Sequence, residues 1–397
     1  MSIDTTASDE IQRSKERTNL YIPYGRQWID EEDIDAIVEV LRSGWLTTGP
    51  KISEFEKEFA CVTGAREAVA VSNGTAALHS IMYAIGISPG DEVIVPPMTF
   101  VATANAVLFQ GGKPVFADVD PETLLIDPEE VKIKITPRTK AVVAVDYAGQ
   151  PCNYDALRTI TDRKGIILIA DACHALGARY RGEKVGTLAD LTAFSFHPVK
   201  HITTGEGGMI TTNDQKLAEK MRIFRNHGIT TDQRQREEKG TWFYEMRHLG
   251  YNYRITDFQC ALGISQLRKL PAWITRRQEI ARRYDAAFAD LPWLRPLSVR
   301  QDVSHAYHLY VVRLNSEVST MNRSFLFQEL RSAGIGVNVH YIPVHLHPYY
   351  KKHLGTGPGQ CPVGEAAYEE IISLPIYPGM TNSGQDAVID LLKDLIK

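Results

Sequence analysis

The sequence predicts an α/β protein: a largely parallel sheet covered by helices on both faces, followed by a smaller α+β domain. Three observations predict it. Short, β-branched apolar runs recur at 68–71, 92–95, 114–116, 141–145, 166–170, 192–196 and 209–212, and helical patterns at 75–85, 100–109 and 153–163 lie between several of them. Strands buried on both faces read as such continuous apolar runs, and helices of this length between them imply parallel pairing. The rhythm changes near Pro271, and 397 residues with 44% hydrophobic content can bury a core large enough to divide into two domains.

In chain order, residues 1–19 are polar and read as a loose tail. A helix is expected over 30–43: Asp30 can cap it, Asp33 sits in its first turn, Ile34, Ile37, Val38 and Leu41 recur at helical spacing, and Gly44 stops it. Residues 45–50 read as a turn-rich loop. The alternating domain is expected to span 20–270. Between its last strand and the second domain, residues 228–250 are long, charged and dotted with aromatics, the pattern of a segment ordered by a partner subunit or a ligand. In the second domain, 271–397, a helix at 273–288 leads to a strand at 308–312, a helix at 323–333, a strand at 336–340 and helices around Ala366 and Ala387.

Charge and cysteine content narrow the function. A formal net charge of -4 gives no basic face of the density that nucleic acid requires. Five scattered cysteines, at 61, 152, 173, 260 and 361, contain no CxxC pair and suit a reducing cytoplasm. The polar start has no apolar core of a signal peptide, and no apolar run reaches the length of a membrane span. Small-molecule chemistry in the cytoplasm is the expectation.

The chain is organised around residues 192–208, TAFSFHPVKHITTGEGG, in which Lys200 follows the end of an apolar strand. Strand ends of α/β sheets face the ligand crevice, and a lysine that is partly desolvated there can lose its proton and act as a nucleophile. Alone, such a lysine is more often a solvated surface charge. Two other pieces accompany it. Ser72, Asn73, Gly74 and Thr75 follow a strand and open a helix, a place where backbone N–H groups cradle a phosphate, although as a bare motif this equally reads as a helix cap. Asp171 closes the apolar run 166–170, where a carboxylate needs a cationic or hydrogen-bonded partner or else merely caps a turn. A phosphate cradle, a strand-end acid and a strand-end lysine together match the needs of pyridoxal 5′-phosphate: its phosphate held, its ring nitrogen kept protonated, its aldehyde tethered.

Several stretches carry a resemblance. SNGTAALHS, GDEVIVPPMTFVATANAV, ADACHALGA, FSFHPVKHITTGEGG, RNHG and LGYNYRITDFQCALG resemble the nucleotide-sugar aminotransferases of the fold-type I pyridoxal phosphate superfamily, the DegT/DnrJ/EryC1/StrS group. The likeness runs from about Ile22 to the C-terminus and implies a seven-stranded, mostly parallel sheet. Within the group, IPYGRQWID, DYAGQPCNYDAL and VHYIPVHLHPYY are most similar to the UDP-4-amino-4,6-dideoxy-N-acetyl-β-L-altrosamine transaminases of pseudaminic acid biosynthesis.

Carried over by motif, Lys200 falls on the Schiff-base lysine and Asp171 on the acid paired with the pyridine nitrogen. Thr75 and Ala76 fall on the phosphate-binding helix start, and Ser195 on another cofactor-contacting hydroxyl. Phe100 falls on the aromatic set against the ring, and His174 on a position near the ring oxygen that is Gln in many relatives. Asn252 matches an asparagine that reaches the cofactor of the other subunit, which implies a homodimer with shared sites. Tyr24, Gly44, Trp45, Leu46, Thr47, Asn73, Asn338, Val339, His340 and Tyr341 are implied to border the sugar nucleotide. His340, His345 and His347 lack an acidic or thiol companion at a recognised spacing, so no metal is expected.

The resemblance further implies a two-stage transamination in which L-glutamate gives up its amino group, leaves as 2-oxoglutarate, and a UDP-linked 4-keto-6-deoxy amino sugar accepts the amine at C4. Perosamine- or aminoarabinose-type sugars are alternatives. A related sugar dehydratase replaces the lysine with histidine, and a non-catalytic sensor loses the lysine or the acid; Lys200 and Asp171 argue against both, with His201 beside the lysine noted.

Overall fold

The structure is a computed structural model that describes residues 21–315, 318 and 321–395; the expected tail at 1–19 lies outside the described residues. Nine strands occupy the first part of the chain: β1 (Glu67–Val71), β2 (Glu92–Val95), β3 (Lys113–Phe116), β4 (Thr139–Val145), β5 (Ile167–Asp171), β6 (Arg179–Tyr180), β7 (Glu183–Lys184), β8 (Leu191–Ser195) and β9 (Gly208–Thr212). Seven of them form one sheet in the order β1-β9-β8-β5-β4-β2-β3. All run parallel except β9, which is antiparallel to both neighbours.

Consecutive residues of these strands serve opposite faces, as a period of two requires. Val93, Val143 and Ile169 join the core under helices Gly74–Ala84 and Ala102–Phe109, while Ile94, Val142 and Leu168 join the core on the other side with Leu157 of helix Tyr154–Asp162. This explains the continuous apolar runs of the sequence.

The expected helix at 30–43 spans Glu31–Arg42, with a capping box between Asp30 and Asp33. Asp33 is fully buried; it accepts from Ser265 Oγ and Gln266 Nε2 and pairs with Lys269, which ties this helix to the long one behind it.

Three differences from the sequence expectation have physical reasons. The loop at 45–50 leads directly into a helix, Pro50–Thr63, with Pro50 at its start, Gly64 in a left-handed conformation at its end, and Phe55 and Phe59 buried one turn apart. The helix expected at 273–288 begins at Asp257 and runs through Pro271 to Phe288, so the expected change of domain at 271 falls inside a helix. Its close seat on helix Pro50–Thr63 depends on Gly263, where a Cβ would stand 2.6 Å from the Phe55 ring.

The third difference lies in the later sheet, formed by β10 (Leu294–Pro296), β12 (Tyr310–Leu314) and β13 (Ile371–Leu374), while β11 (Val303–Ser304) pairs with β6. The expected strand at 336–340 is corrected to an extended segment with one bridge, Asn338 to Ser373; β13 takes the ladder position beside β12. No helix among the described residues is long and apolar enough to cross a membrane.

Candidate active site

Strands β5 and β8 are parallel neighbours, with Asp171 in register with Ala193, so their carboxyl ends lie side by side. Asp171 ends β5 and Ser195 ends β8. The chain then turns, Lys200 N–H donating to the His197 carbonyl at 2.9 Å, and returns through β9. Asp171, Ser195 and Lys200 line one cavity of about 780 Å³, in the crevice position that the ends of α/β strands provide.

Burial pushes the Lys200 ammonium below its usual pKa, while Cys173 and Asp171 oppose the shift. The net effect makes a neutral, nucleophilic amine more accessible. Asp171 is buried; its Oδ1 accepts the Cys173 N–H at 3.2 Å and its Oδ2 accepts the Thr103 hydroxyl at 2.7 Å.

Helix Gly74–Ala84 points its N-terminus into the same cavity. Asn73 caps it, Oδ1 accepting the Ala76 N–H at 2.8 Å, and the Asn73 carbonyl takes the Ala77 N–H at 3.1 Å. The N–H groups of Gly74 and Thr75 come before these bonds, at the positive end of the helix dipole, where an anion is favoured. Close approach to the strand ends requires two glycines: a Cβ on Gly74 would stand 2.9 Å from Ser195 Cβ, and one on Gly208 2.5 Å from the Asn73 carbonyl oxygen. The cradle, the strand-end acid and the desolvated lysine thus fit a phosphorylated aldehyde cofactor with a basic ring nitrogen.

The facing wall comes from distant parts of the chain. Tyr24 and His340 have ring centroids 5.6 Å apart, Phe100 and Tyr341 6.2 Å, and Tyr341 Oη lies 3.0 Å from His174 Nε2. The Tyr147 hydroxyl donates to the His340 carbonyl, and His340 Nδ1 is 2.9 Å from Ser373 Oγ. Burial, reinforced by Lys200 and by His340 and His201, holds His174 well below the usual imidazole pKa, so its ring is neutral at pH 7. Its Nδ1 is buried without a hydrogen-bond partner among the described residues. Phe100 is 58% exposed and offers a free aromatic face at the cavity.

Of the residues expected from sequence, the structure brings Tyr24, Asn73, Thr75, Ala76, Phe100, Asp171, His174, Ser195, Lys200, Asn338, Val339, His340 and Tyr341 to this cavity. Ala76 spends its N–H on Asn73 rather than offering it to a ligand. Gly44, Trp45, Leu46 and Thr47 do not line the cavity; Leu46 accepts the Asp257 N–H at 3.0 Å and Thr47 bridges Thr256, so within one chain this loop anchors the start of the long helix. Asn252 is exposed, bridged to Asn226, and also outside the lining. His345 has an acidic neighbour that sequence spacing did not reveal: its Nε2 is 2.8 Å from Glu365 Oε1.

Sequence reasoning missed Thr99, Thr103, Cys173 and His308, all in the lining. Cys173 was in view within ADACHALGA, but the hydroxyls of Thr99 and Thr103 had no signal beyond lying on either side of Phe100.

A desolvated lysine, a buried carboxylate and a helix N-terminus around one cavity define a class: enzymes that exchange amines and carbonyls on a phosphorylated cofactor. The family model of the DegT/DnrJ/EryC1/StrS aminotransferases matches residues 27–393, and the chain belongs to that family. It is 43% identical over 384 residues to the spore coat polysaccharide biosynthesis protein SpsC of Bacillus subtilis, covering 96% of this chain and 99% of that protein. Among solved structures it is similar to the putative sugar aminotransferase Spr1654 from Streptococcus pneumoniae in its PMP form (34% identity, TM-score 0.89, 94% of this chain and 98% of that one). It is also similar to Helicobacter pylori PseC, an aminotransferase involved in pseudaminic acid biosynthesis (33% identity, TM-score 0.88, 94% and 99%). The architecture is the fold-type I α/β fold of pyridoxal phosphate enzymes.

Proposed function

We propose that this sugar aminotransferase transfers an amino group from L-glutamate to C4 of a UDP-linked 4-keto-6-deoxy-N-acetylhexosamine, as in pseudaminic acid biosynthesis. The observation that carries the reading is the meeting of Lys200, Asp171 and the start of helix Gly74–Ala84 around one cavity. The cofactor is pyridoxal 5′-phosphate, which when bound supplies an electron sink and carries the amino group between the two substrates.

The chain's own residues divide the remaining work. The N–H groups at Gly74 and Thr75, with the Ser195 hydroxyl, would hold the phosphate; Asp171 would keep a proton on the ring nitrogen; Phe100 would pack on the ring, and neutral His174 would serve its oxygen. Lys200 Nζ would tether the cofactor and then, as a free amine, would move the proton from Cα of L-glutamate to the cofactor's aldehyde carbon. In the second half it would take a proton back from that carbon and deliver it to C4 of the sugar, so one lysine would serve both directions. Tyr24, Asn73 and residues 338–341 border the sugar. In this reading residues 20–270 form the cofactor-binding domain, and residues 271–397 form a smaller domain that supplies residues 338–341 of the facing wall.

A homodimer with shared sites belongs to the same proposal. The exposed positions of Asn252, Trp242, Phe243 and Tyr244 support it, as does the absence of residues 44–47 from the cavity of a single chain. The test is product analysis by mass spectrometry and NMR after incubation with L-[15N]glutamate and the UDP-linked 4-keto sugar. Incorporation of 15N at C4 is expected. Incorporation only with a differently linked or differently configured 4-keto sugar moves the substrate within the same family.

A further inference from the structure

The buried acid of the site is itself held by a directed pair of hydroxyls. Thr103 Oγ1 lies 2.7 Å from Asp171 Oδ2, and Thr99 Oγ1 lies 2.7 Å from Thr103 Oγ1. Thr103 is 0% and Thr99 2% exposed, so water does not substitute for either bond. An ionised carboxylate only accepts hydrogen bonds. Thr103 therefore donates to Asp171, and its single hydrogen being used, its oxygen accepts from Thr99. The chain of bonds has one direction, Thr99 to Thr103 to Asp171, and each donor strengthens the next.

The two threonines sit in the turn that precedes helix Ala102–Phe109 and in its first turn, on either side of Phe100. Thr103 reaches Asp171 from 68 residues away in sequence. The other side of the Asp171 carboxylate, Oδ1, accepts the Cys173 N–H at the longer distance of 3.2 Å. Oδ1 is thus fixed by the backbone of its own turn and Oδ2 by Thr103.

We propose that Thr103, backed by Thr99, is the positioning residue for Asp171, holding the carboxylate in the plane that meets the cofactor's ring nitrogen. The inference rests on the reading above that Asp171 faces that nitrogen. Bonds to an ionised acceptor are roughly twice as strong as neutral ones, so loss of the Thr103 hydroxyl acts through Asp171 and is read at the ring nitrogen.

That selectivity supplies the test. The full chain, stripped of cofactor, is titrated with pyridoxal 5′-phosphate and with its 1-deaza analogue, in which carbon replaces the ring nitrogen, following tryptophan fluorescence. The wild-type protein is expected to prefer the natural cofactor. Thr103→Val is expected to lose about tenfold in affinity for it, a loss of the order of one strong hydrogen bond, while its affinity for the deaza analogue stays unchanged. Thr103→Ser, which keeps the hydroxyl, restores the wild-type ratio.

Equal weakening of both ligands by Thr103→Val, or of neither, overturns the inference, because a merely structural role does not distinguish nitrogen from carbon. Asp171→Asn is the control for the underlying reading. If it erases the preference while Thr103→Val leaves it intact, the inference about Thr103 fails alone; if Asp171→Asn also leaves the preference intact, the assignment of Asp171 fails and the inference with it. Should Thr103→Val not fold, Thr99→Val is expected to narrow the preference by about threefold through loss of the second donor, and an unchanged ratio in that variant overturns the proposal.

Discussion

The two walls of the cavity are built in different ways. On one side, Asp171, Ser195 and Lys200 stand at or just beyond the ends of adjacent strands, and the Gly74 helix start is locked against them by a glycine contact. Their relative positions follow from the ladder itself. On the other side, Tyr24 and residues 338–341 come from extended segments outside the large sheet, held by bonds to several separate elements, among them Tyr341 to His174, Tyr147 to the His340 carbonyl and His340 to Ser373. A wall set by strand ends gives the fixed geometry that proton transfer needs. A wall of individually tethered side chains can change its shape at small cost, which is where substrate preference within a family is expected to reside.

If the comparison is right, substitutions on the two walls differ in size. Lys200→Ala is expected to lower turnover by at least about 10³-fold, the scale of a lost nucleophile and proton carrier, with an unchanged melting curve; steady-state kinetics and calorimetry check it. Residual turnover within tenfold of wild type breaks the comparison at its strongest point. Gly74→Ala pushes a methyl against Ser195. It should cost about 1–3 kcal/mol, as overpacking does, seen as weaker cofactor binding together with a lower melting temperature.

On the facing wall the effect should be smaller. Tyr341→Phe removes one hydrogen bond between neutral groups, worth about 1 kcal/mol, and should change kcat/KM for the sugar by about fivefold while leaving the glutamate half-reaction nearly untouched. Equal loss in both half-reactions would place Tyr341 with the cofactor side instead.

The smallest effect sharpens the comparison by testing the support behind the fixed wall. His79, in helix Gly74–Ala84, is bonded to Tyr253 and Gln110, and burial lowers its pKa to about 4. The folded state binds the proton less readily than the unfolded state does. Its contribution to stability is therefore complete above about pH 6.5 and is lost as pH falls towards 4. His79→Gln should flatten the pH dependence of the melting temperature across that interval.

The sequence carried one wall far better than the other. Strand ends, the residues Asp171 and Lys200, and the helix start at Asn73 are local patterns, readable from apolar runs and the residues that close them. The resemblance added Tyr24 and residues 338–341, which no local pattern marks as neighbours of Lys200. Helix Pro50–Thr63 is legible in principle, since Pro50, Gly64 and the Phe55–Phe59 spacing are ordinary signals, but the turn-like residues 45–50 before it mask its start. The change of rhythm near Pro271 marks a boundary in the sequence, whereas packing around Leu267, Leu270 and Ile274 keeps one helix continuous through the proline. The bond from Thr103 to Asp171 had no sequence signal at all, because it depends on the meeting of two segments 68 residues apart in sequence.

That the strand-end wall carries both directions of amine transfer through Lys200 is the central proposal. It is tested most directly by following the visible absorbance of the cofactor-loaded protein while adding L-glutamate and then the UDP-linked 4-keto sugar. Glutamate is expected to bleach the visible band, the sugar to restore it, and Lys200→Ala to show neither change on the catalytic timescale. A band that no amino donor affects, or one that cycles equally fast in Lys200→Ala, would contradict it.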